Sequence, residues 1–165
     1  MTCMDPRIPP QQRIGSSDSD AFMLRNAGGR VTDDVIRGLL LCTRLMGVTD
    51  IGVLHHTDCR LQGLTNDELT LQTGVDVDFL PFLDSAATVP DDVNRLRTCG
   101  LFGDDVSIWG GLYCIDSHTM TVLVPPKSPM LPVTSRGDLA RLVAGDDQDR
   151  MAAGEGRPLP CATTM

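Results

Sequence analysis

Ile51-Gly52-Val53-Leu54-His55-His56-Thr57-Asp58-Cys59 opens as a short apolar run and closes on a His and a Cys three residues apart. The run Ile51 to Leu54 reads as a buried strand. His56 and Cys59 then leave its end on one loop, where both side chains can point at a single metal ion. In an open parallel sheet, sites gather at the carboxyl ends of the strands. A third ligand from another strand end would leave the fourth tetrahedral position to water, which is the catalytic pattern rather than the closed structural one. A His-x-x-Cys pair alone is more often incidental, so its surroundings have to support it.

Upstream lies the clearest helix. Thr32 is a good N-cap, and Asp33 and Asp34 fall in the first turn, where the helix dipole favours negative charge. Val35, Leu39, Cys42 and Met46 recur at helical spacing, Ile36 and Leu40 broaden the stripe, and Gly47 stands where a C-terminal cap belongs. Before it, Ala21 to Leu24 predicts a short buried strand and Asn26-Ala27-Gly28-Gly29 a turn open to unusual backbone angles. Strand, helix, strand in this order implies a right-handed crossover and a parallel pair. Downstream, Thr65 to Glu68 fits a capping box, and Pro90-Asp91-Asp92 predicts the start of a third helix containing Val93, Leu96 and Arg97, with Gly100 near its end. Val106 to Ile115 and Met120 to Val124 read as a hairpin around a turn at Asp116 to Thr119. The fold expected is α/β, a central mostly parallel sheet flanked by helices.

The ends differ in character. Met1 to Arg7, Pro9, Pro10, Gly15 and the Ser/Asp run from Ser16 to Asp20 read as loop. After Val124 the chain is rich in Pro, Gly and Asp, with a brief helix possible over 136–144. The expected organisation is one domain over residues 1–124 and an irregular, largely disordered tail over 125–165.

Composition excludes several functions. The 165 residues suit one domain, and 41% apolar content supports a folded core. Aromatic residues make up only 4%, so no stacking platform for single strands is supported. Net charge is -8 and the chain has one Lys, Lys127, which argues against nucleic-acid binding. No apolar stretch is long enough for a membrane span, and no signal peptide is visible. A cytoplasmic setting is expected, in which the six Cys serve metal binding or burial rather than a disulfide framework. A phosphatase loop fails, because Pro9 and Thr65 stand where Arg would have to follow Cys3 and Cys59. There is no phosphate-binding Gly-rich loop with Lys.

Three pieces remain: Cys3-Met4-Asp5-Pro6-Arg7, the turn Arg25 to Gly29, and His56-Thr57-Asp58-Cys59. In this order they resemble the signature of beta-class carbonic anhydrases, small prokaryotic branch, over roughly residues 3 to 124. The run Val31-Thr32-Asp33-Asp34 and His55 before the ligand His strengthen the likeness. The resemblance implies one zinc ion held by Cys3, His56 and Cys59, and reversible hydration of CO2 to bicarbonate by zinc-bound hydroxide. It makes Asp5 and Arg7 the catalytic pair: Asp5 would accept a hydrogen bond from the hydroxide, and Arg7 would keep Asp5 ionised and aimed. If that pair broke, Asp5 could take the fourth zinc position and shut the site. Backbone N–H groups near Gly28 and Gly29 could help hold substrate oxygens. A homodimer or homotetramer follows by family analogy, acting on a small-molecule substrate. The alternatives are a carbonyl sulfide or carbon disulfide hydrolase of the same fold, or a truncated, non-catalytic zinc-binding remnant.

Other candidates read more simply. Cys42 belongs to the helix stripe, Cys99 and Cys114 to packing, and Cys161 to the tail. His55 would point away from His56, with a proton-relay role open to it. His118 reads as a turn residue. Arg25 and Asp33 would brace the loop and the helix start, and Asp58 would be near the metal or merely solvated. Only Met1 and Thr2 precede Cys3, so the first strand is expected to be nearly missing. A fragment or a start placed too late is favoured over a genuinely shortened chain.

Overall fold

A computed structural model describes residues 1–8 and 21–127. The tail from residue 128, with its expected helix and Cys161, lies outside the described residues, as does 9–20. Within them the sheet has five strands in the order β2-β1-β3-β4-β5. These are β1 (Thr2–Cys3), β2 (Arg25–Asn26), β3 (Asp50–His56), β4 (Ser107–Tyr113) and β5 (Met120–Val124). The first four are parallel, and β5 returns antiparallel to β4 as the expected hairpin.

Two strand expectations are corrected. Ala21 to Leu24 is not a strand: β2 is displaced to Arg25–Asn26, and Phe22 is exposed. The strands flanking α1 (Asp33–Leu45) are parallel but not adjacent, because β1 lies between β2 and β3. The central strand is indeed short. Thr2 pairs with Arg25 on one side and Leu54 on the other, and the Met1 nitrogen donates to Gly52 O at 2.6 Å.

α1 forms as its sequence dictates. Thr32 Oγ1 accepts from Val35 N, and Val35, Ile36, Leu39 and Cys42 are buried, whereas Met46 lies outside the buried stripe. α2 (Asn66–Thr73) has the full capping box of Thr65 and Glu68. α3 (Ser85–Thr98) begins five residues earlier than Pro90 predicted, since Asp84 caps it by accepting from Ala87 N at 2.7 Å. Pro90 sits inside the helix, where it costs up to about 3 kcal/mol. Burial of Val89, Val93 and Leu96 against the sheet offsets that cost.

The main core joins Val35, Ile36 and Leu39 of α1, Val89, Val93 and Leu96 of α3, and Ile51, Val53 and Ile108 of the sheet. β4 meets α3 through Gly110, where a Cβ would stand 2.5 Å from Val89 Cγ1. Among the described residues, no helix is long and apolar enough to cross a membrane.

Candidate metal centre

Three segments converge at the carboxyl ends of β1, β2 and β3. Cys3 closes β1, His56 closes β3 rather than following it, and Cys59 lies on the loop beyond. One ligand atom from each lies within 4.8 Å of the others, and all three residues are buried. Consecutive residues of a strand face opposite ways, which separates the two histidines. His56 turns toward the cysteines, and His55 turns to Asp92 of α3, with Nε2 2.9 Å from Oδ2.

The loop is held in place by backbone contacts. Thr57 N donates to Tyr113 O at 3.0 Å, and Ile115 N donates to Thr57 Oγ1 at 3.0 Å. Asp58 takes φ 56, a left-handed conformation that Asp tolerates, and this turns the chain back so that Cys59 faces His56. The glycine turn Ala27–Gly29 presses on β1, and Gly29 has φ +67. A Cβ there would lie 2.9 Å from Cys3 N, so only glycine permits this approach.

The donors suit a divalent metal. His56 Nδ1 lies 2.9 Å from the carbonyl of Thr57, which can only accept, so Nδ1 carries the proton. That leaves Nε2 as a bare lone pair, and it is buried with no hydrogen-bond partner among the described residues. The two thiols give up one proton easily and hold the other between them. Cys3 is drawn down to about 4, chiefly by the hydrogen bond from Cys59, against the effect of burial. Cys59 is pushed up, because a second thiolate would face the first and because it too is buried. A cation between the two sulfurs removes that conflict. Two thiolates and a neutral imidazole match the charge and softness of zinc.

Asp5 and Arg7 stand beside this triangle. Arg7 Nη2 donates to Asp5 Oδ2 at 2.8 Å, and Arg7 Nε donates to Oδ1 at 3.0 Å. This two-point grip holds the Asp5 carboxyl down to about 2. Arg7 also donates to the Asp58 carboxylate and carbonyl, so Asp58 tethers the Arg. Arg25 braces the same loop from Nη2 to Ile8 O at 3.1 Å. Asp33 instead reaches α3, pairing with Arg95 at 2.7 Å.

An apolar wall of Ile8, Phe82 and Tyr113, with Leu61 and Ile115 packed on it, encloses Cys3 and Cys59. Sequence reading missed Phe82, Tyr113 and the cluster around Asp92. Asp92 accepts from Arg30 Nε at 2.9 Å and from Val31 N at 3.2 Å, and it is 2% exposed. A signal for it existed: Val89, Asp92, Val93 and Leu96 share one helical face, which places a carboxylate inside an apolar stripe. Cys42 is buried as expected and Cys99 half-buried, but Cys114 is disulfide-bonded, not merely packed. His118 lies in its turn, with φ 55.

Residues 1–75 match the family model described as Carbonic anhydrase. The chain is 32% identical to a carbon disulfide hydrolase of Saccharolobus solfataricus, over 82% of this chain and 80% of that protein. It is 30% identical to beta-carbonic anhydrase 1 of Mycobacterium tuberculosis, over 76% of this chain and 80% of the relative. Among solved structures it resembles a carbonic anhydrase from Streptococcus mutans, with a TM-score of 0.69 and 41% identity, covering 74% of this chain and 78% of that one. Parallel sheet, buried Cys/His/Cys triangle and sequence likeness agree, and the chain belongs to the beta-carbonic anhydrase family.

Proposed function

We propose that this chain catalyses the reversible hydration of CO2 to bicarbonate, with zinc held by Cys3, His56 and Cys59 and with Asp5 and Arg7 as the pair beside it. The observation that carries this reading is the buried triangle of three ligand atoms within 4.8 Å of one another. Bound there, zinc would supply a water acidic enough to act as a nucleophile near neutral pH.

The remaining work falls to the chain itself. Ionised Asp5 is an acceptor only, so it can take a hydrogen bond from the attacking water and orient it. Arg7 grips both Asp5 oxygens and keeps the carboxylate from turning toward the sulfurs. The wall of Ile8, Phe82, Leu61 and Ile115 suits a small uncharged substrate and limits bulk water.

The test is elemental analysis of the purified protein followed by stopped-flow CO2 hydration. About one zinc per chain is expected. Cys59→Ser should lose the metal, and Asp5→Ala should keep it and lose most of the rate. A metal-free protein, or a rate equal to buffer, would refute the proposal and favour a non-catalytic remnant.

The relative named carbon disulfide hydrolase supports a second reading, hydrolysis of carbon disulfide or carbonyl sulfide at the same site. Pocket shape decides between such siblings. Release of sulfide from either compound without CO2 hydration would favour it.

The zinc domain in this reading comprises residues 1–124. A homodimer or homotetramer is supported by exposed Met4, Phe22, Leu45, Leu71 and Leu83, which leave apolar surface to cover. Free Cys3 and Cys59 are available as thiolate ligands, whereas the disulfide at Cys114 runs against a reducing, cytoplasmic setting.

A further inference from the structure

Hydration turns CO2 and H2O into bicarbonate and a proton, and each turnover leaves that proton to be carried to solvent. The wall around the ligand cysteines is mostly aliphatic and aromatic carbon, which does not conduct protons. Tyr113 is the exception. It is 3% exposed and packs in the same cluster as Cys3 and Cys59. In the sheet it lies directly opposite His56, so the two side chains leave the same face.

The Tyr113 hydroxyl reaches His118 Nδ1 at 2.8 Å. His118 is exposed, in the turn between β4 and β5. That turn is tightly built. Cys114 N donates to Thr119 O at 2.8 Å, Ser117 and Thr119 hydroxyls bond at 2.7 Å, and His118 holds φ 55. A non-glycine residue in that region is held there by its surroundings. The other two histidines cannot serve this purpose. His55 is fully enclosed and tied to Asp92, and His56 belongs to the metal triangle.

We propose that Tyr113 and His118 form the proton exit of the site. The inference rests on the hydration reading above. The step balances without any other reagent: the Tyr113 oxygen receives a proton from the site's water as its own hydroxyl proton passes to His118 Nδ1, and O–H bonds form and break in concert. Tyr113 stays neutral. The imidazolium formed gives up a proton to bulk buffer, and rotation of the hydroxyl and exchange at the ring restore the starting state.

The experiment uses the full zinc-loaded chain with His118→Asn and Tyr113→Phe. Asn tolerates the positive φ and can accept from Tyr113 but cannot take up a proton. In weak buffer, kcat of His118→Asn should fall about tenfold, less than the 10²–10⁴ of a fully positioned acid or base because buffer shares the load. kcat/KM for CO2 should stay unchanged, and added imidazole should restore kcat. Independently of activity, nitrogen NMR of the His118 ring should show the Nδ1 resonance moving in Tyr113→Phe as its hydrogen bond is lost. Full turnover in weak buffer, a loss that imidazole does not restore, or an unmoved Nδ1 resonance would each overturn the relay. An unaltered zinc-loaded chain without hydration activity would instead overturn the reaction, and the relay with it.

Discussion

Replacing Gly29 by Ala tests whether the glycine turn sets the position of Cys3, the candidate metal ligand. Two costs combine at this residue. An L-residue at φ +67 is strained by about 1–2 kcal/mol. The added Cβ would also lie 2.9 Å from Cys3 N, 3.2 Å from Leu54 O and 3.2 Å from Thr2 C. All three are backbone atoms of the paired strands β1 and β3, so no side chain can swing aside. Overpacking of that kind adds about 1–3 kcal/mol, giving a total of about 2–5 kcal/mol. Gly74 is the control. It has φ +73 as the C-cap of α2, yet nothing lies within 4 Å of its Cβ position. Gly74→Ala should therefore cost only the conformational part, about 1–2 kcal/mol. Urea unfolding of both variants measures the difference. Competition with a chelator measures zinc affinity, which should fall about 10–100-fold in Gly29→Ala, as when a ligand's support is lost, and hold in Gly74→Ala. Equal destabilisation of the two variants, with equal zinc affinity, would refute the reasoning.

Three further outcomes follow from the geometry. The Asp5 carboxyl is depressed to about 2 by Arg7, so the bridge contributes fully above the ordinary value of 3.8 and is lost as pH falls through about 2. Arg7→Ala should move the Asp5 titration upward toward 3.8, read by carbon NMR, and an unmoved titration would show that Arg7 is not the cause. Asp92→Ala strands buried His55 and half-buried Arg30 without their shared carboxylate and should cost about 3–5 kcal/mol in chemical denaturation, whereas a loss under about 1 kcal/mol would mean that water replaces it. Gly110→Ala should destabilise by about 1–3 kcal/mol because its Cβ would meet Val89 and Val93, and adding Val89→Ala should lessen the clash, a coupling that additive losses would disprove.

Much of the site was legible because its parts are local. His56 and Cys59 share one strand and loop, and Asp5 and Arg7 sit two residues apart, within reach of each other on any compact turn. The caps of α1 and α2 were readable for the same reason, since a cap involves only residues within a turn. The failures were of two kinds. Pro90 looked like a helix start, yet burial of Val89 and Val93 kept it inside α3. Strand adjacency was misjudged because the order β2-β1-β3 depends on a two-residue strand that carries no periodic pattern of its own.

The sequence by itself determined the candidate ligand types, their spacing, the Asp5–Arg7 pair and the α/β class, since each rests on residue chemistry and short-range periodicity. Tertiary structure decided what those groups face. It placed Cys3 against His56 across a parallel ladder, sent His55 to a carboxylate 37 residues away, and set Tyr113 between the cysteines and His118. The physical reason is that such contacts join segments far apart in the chain. Their geometry follows from sheet register and helix packing, which are fixed only when the whole core closes.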